Sequence, residues 1–310
     1  MTVTASPPEA AIVARAVRKV YADGHAALHR ITFDVGRDSI LCVVGPNGAG
    51  KTTLMRILAT QLRMSDGTMS VLGLDIDSQF RSIRARVAAV PQDGQPDLDL
   101  TPFEHVFYYL RARGMSKERA TVRTERALKL MDLWLRRSDP ARRLSGGMRR
   151  RILIAMCIGS DASVLLLDEP TTGLDPVSRR ETWNVLAELS ETRTIVMTTH
   201  MMEEAEALAD GVLVLNEGRL VGMGTVTDLK ATLPAREKIH ISGAIDPEQL
   251  APFGRVERCA GAYILYPSGR DAVNHVVGVC MGEGISISVL PTGLEDVYLT
   301  LINGPLQCNA

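Results

Sequence analysis

The sequence predicts an α/β fold built on a largely parallel, two-sided sheet, and three observations predict it. Continuous apolar runs of strand length recur at 40–44, 87–90, 164–167, 194–197 and 212–215, separated by segments of helical pattern. Runs without alternation are those of strands buried on both faces, which parallel sheets require. One such run leads directly into Gly45-Pro46-Asn47-Gly48-Ala49-Gly50-Lys51-Thr52-Thr53, and an amphipathic helix pattern at 52–62 leads out. A third observation is that the 164–167 run ends in two carboxylates, Asp168 and Glu169. In parallel sheets strand C-termini face the ligand crevice, so both carboxylates belong beside the glycine-rich loop.

Each element follows in order. Residues 1–11 are small, polar and proline-bearing and read as a flexible tail. A strand pattern begins at Ile12. Between about 93 and 161 no strand is convincing, whereas 101–114 and 117–135 read as amphipathic helices, so this stretch is a helical insert. Pro140 and Gly146-Gly147 punctuate the chain before another helix. Composition shifts near Leu233-Pro234-Ala235, which assigns 12–235 to one domain and 236–310 to an accessory domain. The latter reads strand, helix, strand, strand, helix, strand and a last helix. That order fits a small ferredoxin-like unit, and equally an appendage without stability of its own.

Bulk properties narrow the function. With 310 residues the chain is about twice the ~150 expected per domain, long enough to bury a core without staples. Basic and acidic residues number 35 and 36, which excludes a broad nucleic-acid surface held by phosphate neutralisation. No apolar run nears the ~20 residues of a membrane span, and no secretory pattern opens the chain. Five cysteines, none in a CxxC pair, point to a reducing, cytoplasmic compartment, and Cys42 and Cys157, in apolar surroundings, read as buried thiols.

The 45–53 segment matches GxxxxGK[ST], a phosphate-binding loop. Glycines let backbone N–H groups turn inward onto phosphate oxygens, and the outgoing helix offers its positive end to the same anion. Lys51 reaches the β- and γ-phosphates, and the Thr52 hydroxyl ligates Mg2+. Asp168 is the natural magnesium partner; Glu169 orients or deprotonates the attacking water. The expected ligands are therefore a nucleotide and Mg2+.

Further motifs make the pattern specific. Leu144-Ser145-Gly146-Gly147-Met148 lies between loop and acidic strand, Gly173-Leu174-Asp175 follows the strand, His200 ends the next apolar run, and Gln92 sits in Val90-Pro91-Gln92-Asp93. Over about residues 12–233 this order resembles the ATP-binding subunit of ABC transporters: a P-loop NTPase with a mixed sheet core, an antiparallel β part and a helical insert. The resemblance implies that Tyr21 stacks on adenine, that Gln92 senses the magnesium and water site, and that His200 contacts the γ-phosphate. It also implies that Ser145, Gly146, Gly147 and Met148 meet ATP held by a second copy, and that Asp175 bridges the dimer. Without it, Ser145 reads as an N-cap, Asp175 as a turn residue and His200 as structural.

Met148 stands where the commonest signature has Gln. Met148 with Arg149-Arg150-Arg151, and the closing Pro291-Thr-Gly-Leu-Glu-Asp-Val-Tyr298, resemble the daunorubicin-resistance and nodulation-factor exporters of the ABC-2 type. The basic triplet would pair with acidic residues of the helical insert or lie near lipid headgroups; read by itself, it is a solvated helix face. The resemblance implies a homodimeric motor at the cytoplasmic face of the membrane. It would work with a separately encoded permease, without nucleic acid, to export a drug, antibiotic or lipid-linked substrate. The alternative is a soluble ATPase of the same type with a regulatory or ligand-sensing role.

Overall fold

The computed structural model describes residues 10–243, 245–259, 261–282 and 285–303. Residues 1–9 of the expected tail, and Cys308, lie outside them. The chain divides into two compact units, one through Met223 and one from Gly224.

The first unit opens with β1 (Ile12–Val20), β2 (Ala26–Val35), β3 (Ile40–Val44), α1 (Lys51–Leu58), β4 (Asp66–Val71) and β5 (Leu74–Asp75). It continues through α2 (Phe80–Arg86), β6 (Val87–Val90), α3 (Pro102–Ala112), α4 (Lys117–Leu130) and α5 (Gly146–Gly159). It closes with β7 (Val164–Asp168), α6 (Pro176–Ser190), β8 (Thr194–Thr199), α7 (Met202–Leu208), β9 (Gly211–Asn216) and β10 (Arg219–Gly224).

These strands form two sheets. One has the order β2-β1-β4-β5, with each neighbouring pair antiparallel. The other has the order β10-β9-β3-β8-β7-β6, with β9, β3, β8, β7 and β6 mutually parallel. Every residue of β3, β7 and β8 is buried, the apolar runs together with Asp168, Thr194, Thr198 and Thr199. Helix α1 lies between the sheets: its Leu54, Met55, Ile57 and Leu58 share one core with Ile12, Leu28, Ile31 and Phe33 and with Val43, Leu166 and Val196.

The parallel register positions the site. Val44 pairs with Thr199, and Asp168 with Thr198. The loop after β3, the carboxylates after β7 and His200 after β8 therefore emerge at one edge of the sheet.

The helical insert is α3, α4 and α5 packed on one another. Their starts are sequence-encoded. Thr101 and Glu104 form a capping box behind Pro102, Ser116 accepts from the Arg119 N–H, and Ser145 accepts from the Met148 N–H. Two helices are shorter than their patterns. Helix α1 stops at Leu58, before Thr60 at φ 57°, and α4 stops at Leu130, before Asp132 at φ 50°. In both cases a left-handed residue other than glycine breaks the helix, and Leu135, expected in α4, is 89% exposed.

The basic triplet is not a solvated face. Arg150 and Arg151 are buried, Arg151 Nη1 lies 3.6 Å from Asp132 Oδ2 of the insert, and the Arg149 Nε is buried with no hydrogen-bond partner among the described residues. Helix α5 carries buried Ile152, Ile154, Ala155, Cys157 and Ile158 on several sides, which leaves Arg150 and Arg151 no face in water, while Arg149 is half-buried.

The second unit comprises α8 (Val226–Ala231), β11 (Glu237–Ser242), α9 (Pro247–Leu250), β12 (Gly254–Cys259) and β13 (Ala262–Pro267). It ends with α10 (Arg270–Gly282), β14 (Ser286–Pro291) and α11 (Leu294–Asn303). Its sheet has the order β12-β13-β11-β14, antiparallel throughout, over a core of Ile239, Ile241, Leu265, Val276 and Cys280. Cys42, Cys157 and Cys280 are buried, and Cys259 is exposed. Among the described residues no helix is long and apolar enough to cross a membrane.

A buried ionic knot ties α11 to this sheet. Asp296 accepts from Lys238 Nζ at 2.8 and 2.9 Å, from the Tyr266 hydroxyl at 2.8 Å and from the Gly293 N–H at 2.7 Å. Burial alone would raise the Asp296 pKa, but these donors outweigh it and hold the carboxyl below its ordinary value. The stabilisation is therefore complete above the unfolded carboxylate pKa, about 4, and is lost as pH falls through the lower folded pKa. Asp296→Asn strands the Lys238 ammonium and is expected to cost this unit about 3 kcal/mol. Hydrogen exchange of the β11 and β13 amides in the full chain measures it.

Candidate functional site: a phosphate-loop cleft

The turn from β3 into α1 builds the cleft. Gly50 has φ 100°, and a Cβ there would stand 2.6 Å from Ala27 O and 2.8 Å from Leu28 Cδ2, so only glycine closes the loop against β2. The Lys51 side chain folds back along the loop, its Nζ donating to Gly45 O at 2.7 Å and Pro46 O at 3.0 Å. Burial pulls the Lys51 pKa down, while Glu169 and Asp168 pull it up less strongly.

The cleft holds about 330 Å3 and is lined by the loop from Asn47 to Thr53, with Tyr21, His25, Ala27, Gln92 and Glu169. The Tyr21 hydroxyl is 3.1 Å from Thr53 Oγ1, and its ring lies nearly parallel to that of His25, 6.4 Å away. Thr52 Oγ1 donates to Gln92 Oε1 at 3.3 Å. Asp168 lines an adjoining cleft with Thr52 and Gln92.

At the end of β7, Asp168 and Glu169 are buried and held from several sides. Thr198 donates its hydroxyl to Asp168 Oδ1 and accepts the Glu169 N–H at 2.9 Å. Glu169 has φ 50°, a conformation worth roughly 1–3 kcal/mol of strain in a residue other than glycine. Its Oε2 accepts from Thr172 Oγ1 at 3.1 Å and lies 3.2 Å from His200 Nδ1. Behind the turn, the buried Glu204 carboxylate of α7 accepts from Thr171 Oγ1 at 2.8 Å and Trp183 Nε1 at 2.9 Å. Thus α7 and α6 brace the segment that carries Glu169.

Sequence reasoning pointed to residues of two distinct placements. Tyr21, the 45–53 loop, Gln92, Asp168, Glu169 and His200 converge on the cleft and its adjoining wall. Ser145, Gly146, Gly147, Met148 and Asp175 do not line it. Gly146 instead lines a neighbouring cleft of about 410 Å3 that shares Gln92 and Glu169. A Cβ on Gly147 would stand 3.2 Å from Leu174 Cδ2, so the start of α5 lies against the loop leading to Asp175. Asp175 caps α6, accepting from the Val177 and Ser178 N–H groups; the Ser178 hydrogen bonds foremost lower its pKa. His25, Thr198, Glu204 and Arg150 escaped sequence reasoning. Thr198 carried a signal, as a polar residue near the end of a buried strand, and Arg150 carried one in the apolar residues that follow it on α5.

The chemistry fits a nucleotide with magnesium. The N-terminus of α1, the inward loop and the Lys51 ammonium suit phosphate, and the oxygens of Thr52, Gln92 and Asp168 suit a hard cation that keeps phosphate ligands. Such a loop beside such an acidic strand end defines a nucleotide-hydrolysing P-loop cassette.

Known proteins agree. Residues 28–172 match the ABC transporter family. Nod factor export ATP-binding protein I of Rhizobium etli is 34% identical over 297 residues, covering 94% of this chain and 93% of that protein. The retinal-specific phospholipid-transporting ATPase of Homo sapiens is 38% identical over 207 residues. That match covers 67% of this chain, which spans only 9% of the larger protein. A solved ATP-binding subunit of an ABC transporter superposes with a TM-score of 0.65 at 25% identity, covering 71% of this chain and 92% of that one. The chain belongs to the ABC transporter family, as an ATP-binding cassette that hydrolyses ATP.

Proposed function

We propose that this chain is the motor of a two-component exporter, in which two copies enclose two ATP-Mg and drive a separately encoded membrane permease from the cytoplasmic face. The observation that carries the reading is the length of the match to the Nod factor export protein, which continues through the second unit to 94% of the chain.

The site supports a division of labour. The 45–53 loop holds the phosphates, and Tyr21 offers an aromatic face to adenine. Magnesium, held by Thr52, Gln92 and Asp168, would neutralise charge on the β- and γ-phosphates. Glu169 takes the proton of the attacking water, with its Oε2 oriented by Thr172 and His200; His200 also contacts the γ-phosphate. Ser145, Gly146 and Gly147 begin a fourteen-residue helix with Ser145 and Gly146 exposed, which suits an anion held by another copy, with Met148 beside it and Asp175 at the same seam.

Docking to the permease is assigned to residues 98–109, where Leu98 is 46% and Tyr108 53% exposed beside the stacked Phe103–Phe107 pair. The second unit, with its βαββαβ order, is a ferredoxin-like accessory domain. The cargo class is a drug, antibiotic or lipid-linked molecule.

The test is affinity purification of Glu169→Gln from detergent-solubilised native membranes with ATP-Mg, followed by crosslinking. A stoichiometric polytopic protein crosslinked to 98–109 is expected. Only soluble partners, with the chain absent from membranes, would replace the exporter with a soluble regulatory ATPase. Crosslinks confined to 236–310 would sink the docking assignment.

A further inference from the structure

The least expected group near the cleft is a buried cation on the helix that starts at Ser145. Arg150 is 9% exposed, and its guanidinium meets five backbone carbonyls from two separate segments. Nη2 donates to Asp168 O and, at 3.0 Å, to Glu169 O; Nε approaches Pro170 O at 3.4 Å. Nη1 donates to Pro91 O at 2.9 Å and Gln92 O at 3.2 Å. One planar group thus binds both the turn that carries Glu169 and the segment that carries Gln92.

We propose that Arg150 is a positioning residue for ATP hydrolysis, fixing Glu169 and Gln92 relative to each other from the helix that presents Ser145–Gly147. The proposal rests on the reading of Glu169 as the group that acts on water.

The chemistry requires arginine. Five N–H donors in a rigid plane can serve two groups of carbonyls at once, whereas an ammonium offers three donors from a single point. A buried cation is tolerated because carbonyl oxygens replace its water and two carboxylates lie nearby. Burial lowers the Arg150 pKa, and Asp168 and Glu169 oppose that.

The carbonyls it holds flank Glu169, whose φ of 50° is maintained against relaxation to an ordinary backbone conformation. Released, the Glu169 carboxylate would swing away from the water it must orient, and a displacement of 1 Å can cost about 100-fold in rate. Because α5 begins at Ser145, any movement of that helix reaches both catalytic segments through one side chain.

A plain structural stitch would make the same contacts, so the test separates the two. In the purified full chain, kcat, KM, ATP-Mg affinity and melting temperature are measured for Arg150→Lys and Arg150→Gln, in the wild-type and Glu169→Gln backgrounds. Positioning predicts that Arg150→Lys lowers kcat by about 100-fold while KM and ATP affinity stay within about threefold. It further predicts that in Glu169→Gln the same change costs about tenfold or less, since the carboxylate it positions is already gone and only the Gln92 segment is left to displace.

Equal fold-losses in both backgrounds, a rise in KM at unchanged kcat, or failure of both variants to fold would each make Arg150 a stitch and overturn the proposal. If Glu169→Gln itself turns over normally, the reading of Glu169 falls, and this inference with it. If Glu169→Gln stalls while Arg150→Lys does not, only this inference falls.

Discussion

Replacing Glu169 by Gln is expected to leave ATP binding intact and to slow turnover by about 10^3-fold, the usual worth of a positioned general base. Glutamine is nearly isosteric, so its amide can keep partners in Thr172 Oγ1 and His200 Nδ1, and the strained backbone at Glu169 stays held by Thr198. What disappears is the acceptor for the water proton and one negative charge facing the phosphates. Loss of that charge works in favour of ATP, so affinity should hold or rise. Under saturating ATP-Mg the variant should accumulate as a dimer in light scattering, because closure precedes the step that is blocked. Normal hydrolysis by a protein that stays monomeric would remove Glu169 from the role given to it.

The parts of the site that were legible in the sequence are those whose chemistry is local. A phosphate loop needs glycine where the backbone has no room, as at Gly50, and lysine and threonine at fixed offsets on the outgoing helix. An unbroken apolar strand ending in Asp168 and Glu169 announces both its burial and the end of the sheet where it opens. Gln92, His200 and Ser145 carry no such signature and are specified only through resemblance, since their value lies in neighbours far away in the chain.

Arg150 was illegible for a physical reason. Three consecutive arginines read as a solvated face because an isolated cation is too costly to bury, and nothing nearby in sequence offers it five carbonyls. The signal lay in the rest of α5, where Ile152, Ile154, Ala155, Cys157 and Ile158 cover too much of the helix surface to leave a wet side. The misread helix ends have a similar origin. Thr60 and Asp132 adopt the left-handed conformation that glycine usually advertises, so nothing in the pattern marks the stop. Strand order was equally hidden: periodicity shows that β1 and β3 are strands, but pairing across the chain puts them in different sheets.

Lys51→Ala is expected to weaken ATP-Mg binding by about two orders of magnitude, the scale of a lost buried charge-assisted contact, and to abolish measurable turnover. The ammonium donates to Gly45 O and Pro46 O at 2.7 and 3.0 Å, which keeps it beside the loop that would hold the phosphates. A positive charge fixed there meets full negative charges at little cost in rearrangement, and alanine offers none. The same lysine sets a pH dependence whose sign is fixed by its burial. Its pKa in the free protein lies below the ordinary lysine value, and phosphate bound beside it would raise that pKa again. Affinity should thus be full below the free-protein pKa and fall as pH rises through it, at lower pH than an ordinary lysine would cause. Lys51→Arg keeps its charge throughout and should lose this alkaline decline even if its longer side chain binds more weakly. Titration calorimetry of the three proteins across the alkaline range measures both effects, and wild-type turnover in Lys51→Ala would take Lys51 out of the site.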